Sequence, residues 1–348
     1  MANLKFMETE TLDPKLFLCP HCGEEERIGV HNHKENLLKC HNCKRCFSVT
    51  KGTVFENLHY PIWVVTLILR LLANGCPKAA IAAGFFIDVR SMTAWQAKGG
   101  KQGKRIQEEL VCNGQVELGQ VQADELRVKT QLGVVWMATA MCVFSRLFIW
   151  GEVSTRRDKH LVRRLFDRVA QAARSAAEPV LVAVDGFAAY PKAIRGALHT
   201  KLRTGRVGRP RHLSWPNTHI VQVVKTHKGR KLADLSCRLF QGSWQVVYAL
   251  IGMSQILPGS INTAYIERLN ATFRSRMPTL VRRTRNLART TQLLEHEMFW
   301  FGAVYNFATV HQSLGTTPAM AAGLTDRLWS IEDLLSLGGP RKDLQGVL

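Results

Sequence analysis

Four cysteines constrain this chain more tightly than any other feature. Cys19 and Cys22 stand in CPHC, and Cys40 and Cys43 stand in CHNC, with a seventeen-residue gap between the pairs. Zinc takes four soft ligands at tetrahedral corners, and a two-residue spacer lets one tight turn deliver two thiolates. The spacing therefore predicts a zinc ribbon holding one Zn²⁺, with a hairpin across the gap from Ile28–His31 to Leu37–Lys39. A module this short has too little core to fold without its metal. Cys46 is a spare that could take the place of Cys43, while His21 and His41 read as turn residues. A disulfide framework would need an oxidising compartment, and MANLKFMETETLD has no apolar stretch that would act as a secretory signal. Cys76, Cys112, Cys142 and Cys237 lie in apolar surroundings and read as core thiols.

Charge says what the rest of the chain meets. The 348 residues include 47 Lys+Arg against 27 Asp+Glu, a formal net charge of +20, and the excess is concentrated. Residues 1–60 carry eight basic and eight acidic side chains, whereas residues 201–289 carry seventeen and two. A surface facing phosphates produces such a concentration, because neutralising phosphates releases counterions. The predicted partner is therefore a polyanion. At 46% apolar residues the chain can build a real core, and without a run of eighteen apolar residues no membrane partner is expected.

A helical module is expected over 57–115. PIWVVTLILRLLA (61–73) reads as a helix stopped at Asn74-Gly75, Pro77 opens a second, and Asp88 caps a third over VRSMTAWQAKGG. Three short helices with a glycine turn suggest a helix-turn-helix, whose third helix would offer Arg90, Ser91, Thr93 and Gln96 to DNA while Trp95 packs inward. Lys98–Glu109 reads as a polar linker helix.

From residue 116 the pattern changes to strands. Val116–Ala123 reads as a strand ending at Asp124-Glu125, followed by Val134–Phe144 and Arg146–Val153 as antiparallel neighbours. A helix from about Asp158 to Ala177 precedes PVLVAV, a buried strand ending at Asp185. Three antiparallel strands, a helix and a parallel strand open a ribonuclease-H-like sheet. The predicted fold class is thus α/β, a ribonuclease-H-like mixed-sheet domain preceded by the small zinc ribbon and the helix-turn-helix. Adjacent strand ends lie about 5 Å apart, so Asp124 and Asp185 repel unless a cation sits between them. Glu125 is the rival of Asp124; alternation along QVQADEL implies that only one of the two faces the site.

Glu267 supplies a third acid, on the helix INTAYIERLNATFRSR. Helical spacing puts Thr263, Glu267, Asn270 and Arg274 on one polar face, and Ile266, Leu269 and Phe273 on the face that packs. Glu295 and Glu297 are rivals, within a stretch that reads as a core helix. Mg²⁺ prefers oxygen ligands, and two such ions about 4 Å apart hold the attacking and leaving oxygens across a phosphorus. Two catalytic Mg²⁺ are therefore expected, with Mn²⁺ as a substitute, and the lack of a GxxxxGK[ST] loop argues against ATP use.

QADEL, AVDGFAAYP and NTAYIERLNATFRSR together resemble the Asp-Asp-Glu transposases of prokaryotic insertion sequences, and within them the insertion-sequence-one family and its zinc-ribbon relatives. CHNCKRCFSVTKGTVF and YNFATVHQSLGTTPAMAAGLTDRLWS resemble the same enzymes, so the likeness spans roughly residues 15 to 330. It implies Asp124, Asp185 and Glu267 as catalytic acids, Asn270 and Arg274 as helix companions of the Glu, and Cys19, Cys22, Cys40 and Cys43 as zinc ligands. It also implies double-stranded DNA as partner, at transposon ends and at targets, a homodimer or higher oligomer on DNA, two-metal strand cleavage at terminal inverted repeats, transfer of the freed 3′ hydroxyl, and a location in the prokaryotic cytoplasm in association with the nucleoid. Arg276, Arg282, Arg283 and Arg285 would add DNA contacts. The expected organisation is a ribbon (1–56), helix-turn-helix and linker (57–115), catalytic domain (116–330) with a basic insertion at about 201–260, and a tail (331–348). A regulator with no catalysis would share the ribbon, helices and basic stretch without needing three converging acids. An RNA-processing nuclease would share the sheet and metals.

Overall fold

The computed structural model describes residues 12–202, 210–229, 231–254, 261–282 and 284–344. They fall into two compact units, one joining the chain up to Leu67 with the chain from Ser330 onward, the other spanning Ile68–Trp329.

The first unit is built on β1 (Ile28–Asn32), β2 (Leu37–Cys40) and β3 (Cys46–Ser48), an antiparallel sheet in that order. Its small core holds Phe17, Cys19, Leu38, Cys40 and Phe47. The hairpin lies where the cysteine spacing requires it. The C-terminal segment, expected as a tail, belongs to this unit as far as residue 344. Phe17 bridges Arg341, the Leu18 N–H donates to the Pro340 carbonyl at 2.8 Å, and the Val54 N–H donates to that of Leu335 at 3.0 Å. A short helix, Ile331–Ser336, starts at a capping box between Ser330 and Asp333, and Leu334, Leu335 and Leu337 are fully buried. A ribbon with so few apolar side chains gains from this addition.

The division between units falls inside α1 (Ile62–Ala73), which is followed by α2 (Lys78–Phe85) and α3 (Val89–Ile106). The expected separate linker helix does not exist. α3 runs for eighteen residues and widens into a π-helical turn at Gln107–Val111. The glycines along it are points of close approach. A Cβ on Gly100 would come within 2.5 Å of His296, and one on Gly103 within 2.4 Å of the Phe299 carbonyl oxygen, both on a later helix. Small residues let two helix backbones approach, and the packing keeps α3 continuous despite its low helix propensity.

The second unit is organised on six strands: β4 (Gln120–Thr130), β5 (Gly133–Cys142), β6 (Phe148–Ser154), β7 (Val180–Asp185), β10 (Thr218–Lys228) and β11 (Lys231–Gln241). Their order is β11-β10-β7-β4-β5-β6, with β7 parallel to β4 and β10 and every other pair antiparallel. A separate two-stranded ribbon pairs β8 (His199–Leu202) with β9 (Arg211–Ser214). The helices are α4 (Lys159–Ala172), α5 (Tyr190–Ala197), α6 (Trp244–Ser254), α7 (Ala264–Arg276) and α8 (Thr291–Phe307). α8 is the predicted core helix and is buried along most of its length.

Three expectations change. β4 does not end at Asp124; it begins at Gln120 and continues through both acids, because β5 pairs with it as far as Thr130 opposite Gly133. α4 stops at Ala172 rather than Ala177, since Ala173 leaves the helix to bridge Val116. Its start is as read, with the Asp158 carboxylate accepting from the His160 and Leu161 N–H groups. The basic segment 201–260 is no appendage in its described part. It supplies β10 and β11, and Val221 and Val223 are buried beside Leu181 and Ala183. Residues 203–209 and 255–260 lie outside the described residues.

Candidate metal centres

The sulfurs of Cys19, Cys22, Cys40 and Cys43 form one cluster, each within 4.8 Å of the others. Cys19 Sγ lies 3.6 Å from Cys43 Sγ, and Cys22 Sγ lies 3.7 Å from Cys40 Sγ. Four sulfurs about 2.3 Å from a tetrahedral centre stand about 3.8 Å apart, so the cage has zinc's dimensions. A disulfide needs about 2.05 Å, and all four thiols are free. The cluster could therefore bind a zinc ion. Cys46 is exposed on β3 and outside the cluster, which settles its rivalry with Cys43. The Arg45 amide, outweighing desolvation and aided by the other thiols, brings Cys43 down to about 7. Against the pull of the Glu24 amide, desolvation and the other thiols push Cys22 up to about 12. An uncompensated cage thus keeps protons that a dication would displace.

Three acids converge from two strands. Asp124, Glu125 and Asp185 each bring a carboxylate oxygen within 4.8 Å of the other two. Asp124 and Glu125 are neighbours on β4 and point to opposite faces of the sheet. Toward α7, the Asn270 amide donates to Asp124 Oδ2 at 2.9 Å and accepts from the Thr139 hydroxyl at 2.9 Å. On the other side, Arg157 Nη2 donates to Glu125 Oε2 at 2.9 Å and to Asp185 Oδ2 at 3.2 Å. Its guanidinium lies 4.2 Å from the Phe187 ring centre and 5.1 Å from that of Trp136. The expectation that only one of Asp124 and Glu125 joins the site is thus overturned. β7 stops at Asp185, so beyond it no strand separates the two faces, and Arg157 reaches across the gap.

Electrostatics mark this as a site held against its own charge. Burial, and then the Asp185 charge, raise the carboxyls of Asp124 and Glu125 above the usual range, and Glu267 adds to the effect on Asp124. Burial and the same acids hold the Tyr190 hydroxyl proton far above its ordinary range. Glu125 Oε1 is buried with no hydrogen-bond partner among the described residues. Three close carboxylates share the single positive charge of Arg157, which leaves a set of oxygen donors suited to a hard divalent cation.

Glu267 stands apart from that trio. Its carboxylate accepts from the Lys225 ammonium and, at 2.7 Å, from the Thr263 hydroxyl. These contacts outweigh partial burial and hold it below the usual carboxylate range. Lys225 is placed by register: Val223 pairs with Asp185, so two residues later the same face of β10 has passed the end of β7. Asn270, expected on the polar face with Glu267, is 1% exposed and bonded to Asp124. Of the rival acids, Glu295 pairs with Lys104 at 2.6 Å, and Glu297 is half-buried and bonded to Thr279 and Gln96.

The expected DNA contacts divide by exposure. Arg90, Arg282 and Arg285 are exposed, Ser91, Thr93, Arg274 and Arg276 are half-buried, and Arg283 lies outside the described residues. Thr93 donates to the Val89 carbonyl, and Arg276 bonds to Asn74. Gln96 is buried, its amide 3.2 Å from Glu297, and so is not the free reader expected of it. The helical period used to place it treats every outward turn as wet, whereas α8 covers this one. Trp95 packs inward as read. Arg157, Lys225 and Tyr190 were not foreseen; register across β7 and β10 reveals Lys225, while Arg157 and Tyr190 reach the acids from the start of α4 and of α5.

No protein-family model matches the chain, and no curated protein matches it. Among the described residues, no helix is long and apolar enough to cross a membrane.

Proposed function

We propose that the chain is a DNA transposase of the Asp-Asp-Glu type, with a zinc ribbon, a helix-turn-helix and a ribonuclease-H-like catalytic core. One observation carries the reading: Asp124 and Asp185 meet where adjacent parallel strands β4 and β7 lie side by side, with Asn270 of α7 fixing Asp124. The sheet order supports it, since three antiparallel strands and two further parallel ones, around a central β4, are the arrangement expected of such a core. When bound, two Mg²⁺ would hold the attacking and leaving oxygens of a phosphodiester in line. Asp124 and Asp185 would anchor them, Glu267 would turn from Lys225 to complete the set, and Asn270 would keep Asp124 aimed. Exposed Arg282 and Arg285 would position DNA, and two protomers would hold two terminal repeats together.

The test is strand cleavage and joining on duplex DNA bearing the ends of the protein's own element, with Mg²⁺. Asp185→Ala is expected to slow both at least about a thousandfold, or ~4 kcal/mol. Normal cutting and joining by that variant removes the reading. A second reading, a DNA-binding regulator without catalysis, is favoured by the Lys225–Glu267 pair, which ties up the third acid. Tight binding of end DNA with no cleavage by the wild type selects it.

A further inference from the structure

α7 has two working faces. Asn270 looks toward the acids, while Tyr265, Arg268, Thr272 and Arg276, spaced by three and four residues, line a cavity of about 350 Å³ on another side. Ligand pockets start at about this size. Arg146, at a positive φ of 58° in the β5–β6 turn, enters the cavity and lays its guanidinium 3.9 Å from the Tyr265 ring centre. The Tyr305 hydroxyl bonds the Arg146 carbonyl at 3.1 Å, and the Tyr305 ring meets His311 edge-on. The lining therefore contains three arginines, two tyrosines and a histidine, and no acid. None of the three arginines pairs with a carboxylate among the described residues. Burial first, then the charges of Arg146 and Arg268, pushes the His311 pKa down.

A cavity that gathers unpaired cations beside flat rings fits a ligand with an anionic part and a planar part. Bases stack on aromatic rings and on guanidinium planes, and arginine forks match phosphate oxygens. We propose that this cavity binds a nucleotide, its base against the Arg146–Tyr265 platform and its phosphate at Arg268 and Arg276. The site adjoins the acids through neighbouring residues, Leu269 lining the cavity and Asn270 holding Asp124. A nucleotide of this chemistry arrives either free or as an unpaired unit of a DNA strand, and only the second source rests on the function proposed above.

The experiment is a binding titration of the full-length, zinc-loaded protein without Mg²⁺, so that no cutting intervenes. The probes are a duplex with one unpaired 2-aminopurine, the same duplex with that base paired, free dAMP and inorganic phosphate. Stacking of one base predicts roughly tenfold tighter binding of the unpaired duplex, with quenched 2-aminopurine fluorescence. Tyr265→Leu and Arg268→Gln should abolish that preference while leaving paired-duplex affinity within about twofold. Saturable dAMP binding that both variants lose, without a duplex preference, assigns the free nucleotide instead. In either case the bound anion raises the His311 pKa, followed by NMR. The proposal is overturned if neither probe binds preferentially, if both variants bind as the wild type does, or if phosphate alone reproduces the effect of dAMP. A protein that binds the unpaired duplex yet never cuts keeps this inference and loses the transposase reading.

Discussion

The thiol cluster could bind zinc and the acid cluster offers oxygen donors suited to a hard cation, and the two are built in opposite ways. The four cysteines come from two short turns, and no cationic side chain is hydrogen-bonded to them among the described residues. The clustered acids come from two strands far apart in sequence, and the site carries its own cations, Arg157 across Glu125 and Asp185 and Lys225 on the separate Glu267. The difference teaches that a metal site without internal counter-charge ties folding to the metal. A site with provisional protein cations stands without metal and can admit it, exchange it and release it.

The largest effect that would break the comparison lies in the ribbon. Cys40→Ser should release the zinc and unfold the region around Cys19–Ser48, because structural zinc supplies about 10–16 kcal/mol of apparent binding energy. Metal content by mass spectrometry and amide exchange across β1–β3 read this. Persistent protection of Leu38 in a zinc-free protein would show that the cage is not what folds it.

Next is Arg157→Met, which strands the Glu125 carboxylate, whose side chain has 0% exposure. The cost should be about 3 kcal/mol, toward the low end for breaking a buried pair because Arg157 itself is 31% exposed. Urea unfolding measures it, and adding Glu125→Gln should recover most of it. An Arg157→Met protein as stable as the wild type would mean that the acids need no internal cation.

A smaller effect has a definite sign. A carboxyl whose folded pKa lies above its unfolded one weakens the fold at neutral pH, and the penalty fades as pH falls through the raised value. Asp124 is such a group. Without Mg²⁺, Asp124→Asn should melt above the wild type at pH 7.5, and the gap should close on acidification. Saturating Mg²⁺ should reverse the order at pH 7.5. A gap independent of pH in calorimetry would deny the charge conflict. Smallest is the joint replacement of Arg282 and Arg285 by Gln, which should flatten the dependence of log K on log salt by close to one unit per arginine.

What the sequence discloses about these two clusters follows from how local each is. C-x-x-C spacing is a geometric statement about one turn, so the ligands and the hairpin between them are legible from residues alone. Asp124 and Asp185 are legible because each closes or interrupts an apolar strand pattern. Glu125 is misjudged by the rule of alternation, which holds inside a sheet and lapses where β7 runs out. β10 is hidden because its apolar residues stand amid lysines and arginines that advertise a solvated loop. The continuity of α3 depends on the bulk of α8, which lies about two hundred residues away in sequence, and no local pattern reports it.

The ribbon unit is closed by residues 330–344, and this orders events in time. On a ribosome the cysteine knuckles emerge before the sheet, yet Val54 and Leu18 wait for carbonyls at Leu335 and Pro340 that are made only after the whole of Ile68–Trp329. The unit that starts to emerge before the sheet is thus completed after it. A nascent chain stopped short of residue 335 lacks the carbonyl to which the Val54 N–H donates.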